Sequence, residues 1–201
     1  MTDHRAYAPA TARNRTPILD VLRRVLPPSG LVLEISAGTG EHAAFLAAAL
    51  PHLTWQPTDL DERSLLSIAA HRAAAGLTNL RPPLTLDAAS PDWPIARADA
   101  IVCINMIHIA PWAACVGLMA GAARTLPPGG VLYLYGPYKE GGAHTAESNL
   151  RFDADLQARD PSWGVRNLED VVLLAVEHGL HHTETVPMPA NNRSLVLVKS
   201  G

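Results

Sequence analysis

Between residues 31 and 135 the chain alternates short apolar runs with helix-like stretches, and this alternation restricts its fold more than any other feature. The apolar runs cover 31–35, 53–58, 80–86, 99–104 and 131–135, and the helical stretches cover 41–50, 62–75 and 112–126. Continuous apolar runs of this length are typical of strands covered on both faces, and strands that alternate with helices form parallel sheets. The pattern therefore predicts an α/β protein with a doubly wound, mostly parallel sheet.

The pattern changes after the fifth apolar run. The spacing predicts a helix over 146–158, with Leu150 and Leu156 on one side, and a second helix over 167–179. Two strands, HHTETVPM and RSLVLVK, follow and are joined by turn residues at 189–192, which indicates a hairpin. The complete prediction is a seven-stranded sheet that ends in an antiparallel C-terminal hairpin strand.

The domain organisation predicted for the 201 residues is simple. Residues 1–15 are polar and are predicted to form a mobile N-terminal arm, because Thr16-Pro17 is a typical helix start. Residues 16–201 are predicted to form a single domain. Within it, the segment 136–166 is a candidate lid or acceptor-binding element because it is rich in polar side chains. These side chains are His144, Asn149, Asp153 and Arg159.

Composition excludes several classes of function. The net charge is −3, and no long basic run is present, which argues against binding to nucleic acid or to an anionic membrane. Two cysteines cannot build a disulfide framework. No apolar stretch resembles a signal peptide or a membrane span, so a cytoplasmic location is expected. His178, His181 and His182 do not have the spacing of a metal site, and no metal is predicted.

The segment from Val32 to His42 carries the clearest chemical signal. A strand leads into a turn that contains Gly38 and Gly40, and a helix follows from Glu41. Glycines in such a turn let a ligand approach bare backbone, and the helix start attracts anionic groups. The same glycines, with Asp59 about twenty residues later, also satisfy the weak dinucleotide-binding pattern. A nicotinamide enzyme usually needs a second domain, for which this chain is too short.

The string E-x-S-x-G-x-G, which starts at Glu34, resembles the first signature of the class I S-adenosylmethionine-dependent methyltransferases. Ser36 takes the place of the first glycine of that signature. The resemblance implies that the cofactor is S-adenosyl-L-methionine and that Glu34 lies near its methionine ammonium. It also implies an Asp for the ribose hydroxyls and an Asp near the adenine amino group. These two positions are matched by Asp59 and Asp87, while Asp61 is the better candidate for capping the next helix.

The resemblance extends over residues 13–198. The matching segments are RNRTPIL, LEISAGTGEH, INMIHIAPW, PPGGVLYLYGPY, RDPSWGVRNLED and MPANNRSLV. Together they resemble a family of uncharacterised methyltransferase-like proteins, which implies the Rossmann-like fold of the class I methyltransferases.

Polar residues after the fourth and fifth strands are the remaining site candidates. Ligands of open α/β sheets bind at the carboxyl ends of the strands. Asn105 is therefore a candidate for cofactor contact, His108 for a general base and Tyr138 for a second catalytic group, with Tyr135 as a lining residue. Asn14 is a weaker candidate for the same pocket.

The predicted function is methyl transfer from S-adenosylmethionine to a small-molecule acceptor. The sequence does not identify the acceptor atom, show whether a general base is used or indicate the oligomeric state. Two alternatives remain: a catalytically silent S-adenosylmethionine-binding protein that acts through a partner, and an NAD-dependent oxidoreductase. Asp87 separates the last of these from the methyltransferase, because it has a role only in the methyltransferase hypothesis.

Overall fold

The computed structural model describes residues 3–201 and contains a seven-stranded sheet with the strand order β3-β2-β1-β4-β5-β9-β8. These strands are β1 (Gly30–Ile35), β2 (Leu53–Asp59), β3 (Leu84–Thr85), β4 (Ala100–Ile104), β5 (Val131–Pro137), β8 (Leu180–Met188) and β9 (Asn192–Lys199). The first five pair in parallel, whereas β9 pairs antiparallel with both β5 and β8. The predicted doubly wound, mostly parallel sheet with an antiparallel C-terminal strand is confirmed.

Helices cover both faces of the sheet. They are α1 (Pro9–Val25), α2 (Glu41–Ala49), α3 (Glu62–Ala75), α4 (Trp112–Thr125), α5 (Glu147–Arg159) and α6 (Leu168–Glu177). A separate two-stranded hairpin, β6 (Lys139–Glu140) with β7 (Ala143–His144), precedes α5. Within residues 3–201 no helix is long and apolar enough to cross a membrane.

Two apolar layers explain why the strands are continuous apolar runs. Successive strand residues point to opposite faces, so Val32 packs with α1 and α2 while Leu33 packs with α4 and α6. In β4, Val102 and Ile101 divide in the same way between the two layers. The central strands therefore carry apolar residues on both faces, and the core lies on both sides of β1, β4 and β5.

The N-terminal arm predicted over residues 1–15 is wrong for residues 9–15. Helix α1 begins at Pro9, which occupies the first helical turn, and Pro17 lies inside the helix instead of starting it. Thr11 and Asn14 are buried, so polar residues here face the protein interior. The part of the predicted arm that comprises residues 1 and 2 lies outside the described residues.

Backbone groups ahead of α1 are also held by the domain. The Ala6 N–H donates to Ser67 Oγ at 2.8 Å, and the Ala8 N–H donates to Glu41 Oε2 at 2.6 Å. His71 Nε2 lies 2.9 Å from the Ala6 carbonyl oxygen. The chain before α1 is therefore attached to α2 and α3, next to the glycine-containing turn.

Helix α5 agrees with its predicted position, but Leu150 and Leu156, which were predicted to share one side, differ in exposure. Leu156 is buried, whereas Leu150 is 52 % exposed. The buried positions beside Leu156 are the polar residues Asn149 and Asp153. The inner side of α5 therefore provides hydrogen bonds to neighbouring loops instead of a continuous apolar stripe.

Candidate functional site

The turn between β1 and α2 has a left-handed backbone at three positions. The φ angles are +55° at Ser36, +59° at Gly38 and +86° at Gly40. The Ala37 N–H donates to the Thr58 carbonyl at 2.8 Å and joins the turn to β2. Ser36 thus adopts the backbone conformation that glycine accommodates most easily, at the position where the methyltransferase signature has its first glycine.

The two glycines of this turn have different surroundings. A Cβ atom at Gly38 would meet nothing within 4 Å, so its backbone faces open space. A Cβ atom at Gly40 would lie 2.7 Å from the Cα of Ile68. Gly38 therefore leaves backbone accessible to a ligand, whereas Gly40 permits close packing of the turn against α3.

Asp59 connects the turn to the end of β2. Its Oδ2 accepts the Gly38 N–H at 2.9 Å, and its Oδ1 accepts the Asp61 N–H at 3.0 Å. Each carboxylate oxygen has a second lone pair, which a ligand hydroxyl could use. Asp61 accepts the Ser64 N–H at 2.9 Å, which confirms that Asp61, rather than Asp59, caps α3.

Glu34 is buried at the end of β1, beneath the turn. Its Oε2 accepts the indole N–H of Trp55 at 2.6 Å. Burial raises the pKa of Glu34 to about 7, and the nearby Asp59 charge acts in the same direction. The carboxyl group can therefore lose its proton near neutral pH. It belongs to the end of the strand that leads into the glycine-containing turn.

A cavity of about 290 Å³, called here the first cavity, lies at the carboxyl ends of β1, β3 and β4. Its lining includes Ser36, Leu60, Leu86, Asp87, Met106 and Ala114. The Asp87 Oδ1 accepts the Ala89 N–H at 2.8 Å, which fixes the carboxylate at this position. The walls are thus mostly apolar with one acidic group, a combination suited to a planar, nitrogen-rich ring.

A second cavity, of about 360 Å³, lies beside the ends of β4 and β5 and is bounded by α1 and α5. Its lining includes Arg13, Asn14, Asn105, Tyr135, Asn149 and Phe152. Asn105 has a left-handed backbone with φ +64°, and its N–H donates to the Tyr135 carbonyl at 2.8 Å. Asn105 and Met106 are consecutive in the chain, yet they line different cavities.

Hydrogen bonds hold the walls of the second cavity in place. The Asn149 Nδ2 donates at 3.0 Å to the carbonyl of Asn191, in the turn between β8 and β9. Asn14 Oδ1 lies 2.8 Å from His42 Nε2, on α2. Burial raises the pKa of Tyr135, and the adjacent Asn14 side chain opposes that shift. Asn14 and Asn149 are therefore held in place in the wall of the cavity.

His108 and Tyr138 lie in the core, outside both cavity linings. His108 has no accessible surface, and its Nδ1 accepts the Arg166 N–H at 3.2 Å. Burial, with a contribution from Arg166, lowers the pKa of His108 to about 3. The Tyr138 ring packs edge-on against His108, with 4.9 Å between ring centroids, and burial raises its pKa well above the usual range. A buried, neutral imidazole beside a buried phenol is not placed to remove a proton from a ligand.

Asp153 anchors the segment 136–166. Its carboxylate contacts Lys139 Nζ at 2.8 Å and His144 Nε2 at 3.1 Å, and it accepts the Val165 N–H at 2.7 Å. The favourable contacts, led by the hydrogen bond from Lys139, outweigh the effect of burial and lower the pKa of Asp153. One carboxylate therefore joins α5 to the β6–β7 hairpin and to the loop before α6.

Comparison with known proteins identifies the family of this chain. A family model described as "Protein of unknown function (DUF938)" matches residues 5–199. The chain belongs to the DUF938 family.

Two solved structures similar to this DUF938 member are named as O-methyltransferase family proteins. An O-methyltransferase family 2 protein from Planctomyces limnophilus, in complex with apigenin, superposes with a TM-score of 0.80 at 18 % identity, over 94 % of this chain and 58 % of that one. An O-methyltransferase family protein from Burkholderia thailandensis has a TM-score of 0.80 at 17 % identity, over 96 % of this chain and 58 % of that one.

A human enzyme also shares the fold of this DUF938 chain. N-acetylserotonin methyltransferase, in complex with SAM, superposes with a TM-score of 0.77 at 13 % identity, over 96 % of this chain and 53 % of that one. The DUF938 chain thus spans little more than half the length of these structures. At these identities the comparison establishes a shared methyltransferase fold.

The structure brings most of the sequence candidates of this DUF938 chain to one end of the sheet. Ser36 and Asp87 line the first cavity, and Asn105 lines the second. Asp59 is bonded to the turn at Gly38, and Glu34 lies buried against Trp55. Arg13, which lines the second cavity, was not among the sequence candidates, because residues 1–15 were predicted to form a mobile arm. A signal for a helix is present in this segment, but two of its four helically spaced residues are polar: Thr11, Asn14, Ile18 and Leu22.

Proposed function

We propose that the protein is an S-adenosylmethionine-dependent methyltransferase that acts on a small-molecule acceptor. The observation that carries this proposal is the first cavity, formed where the turn after β1 meets Asp87 and Met106. Ligands of open α/β sheets bind in such a position, outside the carboxyl ends of the strands. The methyltransferase fold of the similar structures supports the same assignment.

The residues present fit S-adenosylmethionine. The apolar walls of the first cavity suit the adenine, with the Asp87 carboxylate available to its amino group. Asp59 retains lone pairs for the ribose hydroxyls, and the bare backbone at Gly38 accommodates close approach. Glu34, at the end of the strand that leads into the turn, is the residue that we assign to the methionine ammonium. When bound, this cofactor supplies a methyl group already activated by attachment to a positively charged sulfur.

The second cavity would hold the acceptor. Asn105 and Met106 follow β4 and line the second and the first cavity respectively, so a ligand in the second cavity would lie next to one in the first. Placing the two reactants side by side is the main contribution that the protein must make when the methyl group is already activated. The 360 Å³ of this cavity matches the size of sites for small organic molecules.

One observation supports the silent-binding alternative. Arg13 and Tyr135 are the only ionisable residues that line the second cavity within the described chain, and His108 is buried elsewhere. A protein that binds the cofactor without chemistry needs no proton acceptor there. An acceptor that reaches the site without a proton to lose also needs none, so both hypotheses fit this lining.

Calorimetric titration with S-adenosylhomocysteine, with NAD in parallel, tests the proposal. We expect micromolar binding of S-adenosylhomocysteine and none of NAD. Asp87→Asn keeps the oxygen that accepts the Ala89 N–H but removes the charge, and it should weaken binding about tenfold. Asp92→Asn, at an exposed residue nearby, should leave the affinity unchanged.

A second assay separates the enzyme from the silent binder. The protein is incubated with methyl-labelled S-adenosylmethionine and a low-molecular-weight extract, and label in methylated small molecules is counted. Transfer of label supports the enzyme, whereas tight S-adenosylhomocysteine binding without transfer supports the silent binder. Binding of NAD alone would support the oxidoreductase.

A further inference from the structure

The second cavity has an unusual distribution of charge. Among residues 3–201, its lining contains one cation, Arg13, and no carboxylate. The other polar groups are neutral: the side-chain amides of Asn14, Asn105, Asn149 and Asn192, with the hydroxyl groups of Tyr135 and Ser148. An electropositive group thus lies in a cavity whose own walls do not neutralise it.

Arg13 is free to bind a ligand. Within residues 3–201 it forms neither a salt bridge nor a side-chain hydrogen bond, although most other arginines of the chain do. It also lines a smaller adjoining cavity of about 160 Å³, together with Tyr135 and Asn192. Its position on α1, about one and a half turns before the buried Ile18, is fixed because the same helix packs into the core.

The rest of the lining indicates an apolar body for the ligand. Phe152, Pro137, Ala10 and Ala190 provide apolar surface in the same cavity. An arginine guanidinium pairs most strongly with carboxylate or phosphate, and a carboxylate on a ring or short aliphatic chain fits a cavity of about 360 Å³. The neutral amides can accept or donate hydrogen bonds to the remaining polar groups of such a molecule.

We propose that the methyl acceptor is a small organic carboxylate with an apolar body, and that Arg13 binds its carboxylate. This inference rests on the proposed methyltransferase function, because it assigns the second cavity to the acceptor. Arg13 determines which molecules enter, and Asn105 faces the part of the acceptor next to the first cavity.

Paired probes test this assignment. Benzoate, phenylacetate and 3-phenylpropionate are each compared with the amide of the same size, using saturation-transfer NMR titrations of protein saturated with S-adenosylhomocysteine. Arg13→Gln removes the proposed anchor. Arg15→Gln is the matched control, because Arg15 is on the same helix but lies over the Phe45 ring, 4.7 Å from its centroid, outside the cavity lining.

We expect at least one carboxylate to bind about tenfold or more tightly than its amide to the wild type and to Arg15→Gln. In Arg13→Gln the preference should disappear, with the affinity for S-adenosylhomocysteine unchanged. Equal binding of acid and amide to the wild type, equal losses in both arginine variants, or binding of neither member of any pair would each overturn the assignment. Failure of the wild type to bind S-adenosylhomocysteine would instead contradict the proposed function itself.

Discussion

Gly40 packs directly against Ile68, so that a Cβ atom at residue 40 would lie 2.7 Å from the Ile68 Cα. This contact joins the start of α2 to α3, so Gly40 has a packing role in addition to the ligand role predicted from the sequence. Gly38, two residues earlier, has the same type of backbone but an open side. The two glycines therefore predict different consequences when each is replaced by alanine.

Gly40→Ala should lower the free energy of unfolding by roughly 3 kcal/mol, because a left-handed alanine and a backbone clash add together. Gly38→Ala should cost only about 1 kcal/mol, the strain of the left-handed backbone. Gly76→Ala is the control, since φ is +63° there and its Cβ would also meet nothing within 4 Å. Chemical denaturation measures stability, and calorimetry measures S-adenosylhomocysteine binding. Only Gly38→Ala should be about as stable as Gly76→Ala and also bind S-adenosylhomocysteine more weakly than the wild type.

Glu34 should make the protein less stable as the pH rises. Its pKa is raised from 4.5 to about 7 by burial, so the folded state holds a proton that the unfolded state releases between these values. Its contribution is fully present below pH 4.5 and is lost as the pH passes 7, a change of about 3 kcal/mol. Glu34→Gln retains an oxygen for the Trp55 N–H and has no charge. The stability of the wild type relative to this variant should therefore fall between pH 5 and pH 8, and a constant difference would contradict the prediction.

His108 should make the protein less stable as the pH falls, which is the opposite of the effect of Glu34. Its pKa is lowered from 6.5 to about 3, so the unfolded state takes up a proton over this range before the folded state does. The stability contribution is present above pH 6.5 and is lost as the pH falls toward 3. His108→Asn keeps an acceptor for the Arg166 N–H but does not titrate. Denaturation at pH 7 and pH 4 should show a smaller advantage of the wild type at pH 4, and S-adenosylhomocysteine affinity at pH 7 should be nearly unchanged.

Asp153→Asn should loosen the segment 139–166. The substitution removes the ion pair with Lys139 and weakens the acceptor of the Val165 N–H, with an expected loss of about 2 kcal/mol. Hydrogen exchange should then increase in the β6–β7 hairpin and before α6. Asp155→Asn changes an exposed residue of the same helix and should leave exchange as in the wild type. Equal exchange in both variants would show that Asp153 does not anchor the segment.

The sheet could be predicted because its signals are local. A short, continuous apolar run such as that of β4 predicts a buried strand. Gly76 directly follows the helical stretch, has a left-handed backbone and ends α3. Edge strand β3 is shorter than its apolar run, because the prolines at 82 and 83 supply no N–H groups to a ladder. These features depend on neighbouring residues alone.

The remaining features depend on residues distant in the chain. Asn14 is buried because its Oδ1 accepts a hydrogen bond from His42 Nε2. Asn149 faces inward because its Nδ2 donates to the carbonyl of Asn191 in the β8–β9 turn. Nothing near either residue in the sequence signals those contacts. His108 follows a strand end as a catalytic base would, but Arg166 and Tyr138 enclose it. Burial of polar residues is therefore where the sequence-based predictions failed.

A crystal structure with S-adenosylhomocysteine would be the decisive test, because it shows how the two cavities are used. We expect adenine in the first cavity beside Asp87, with the sulfur turned toward Asn105 and the second cavity. S-adenosylhomocysteine bound elsewhere, or bound with its sulfur turned away from Asn105, would contradict the assignment of one cavity to the cofactor and the other to the acceptor.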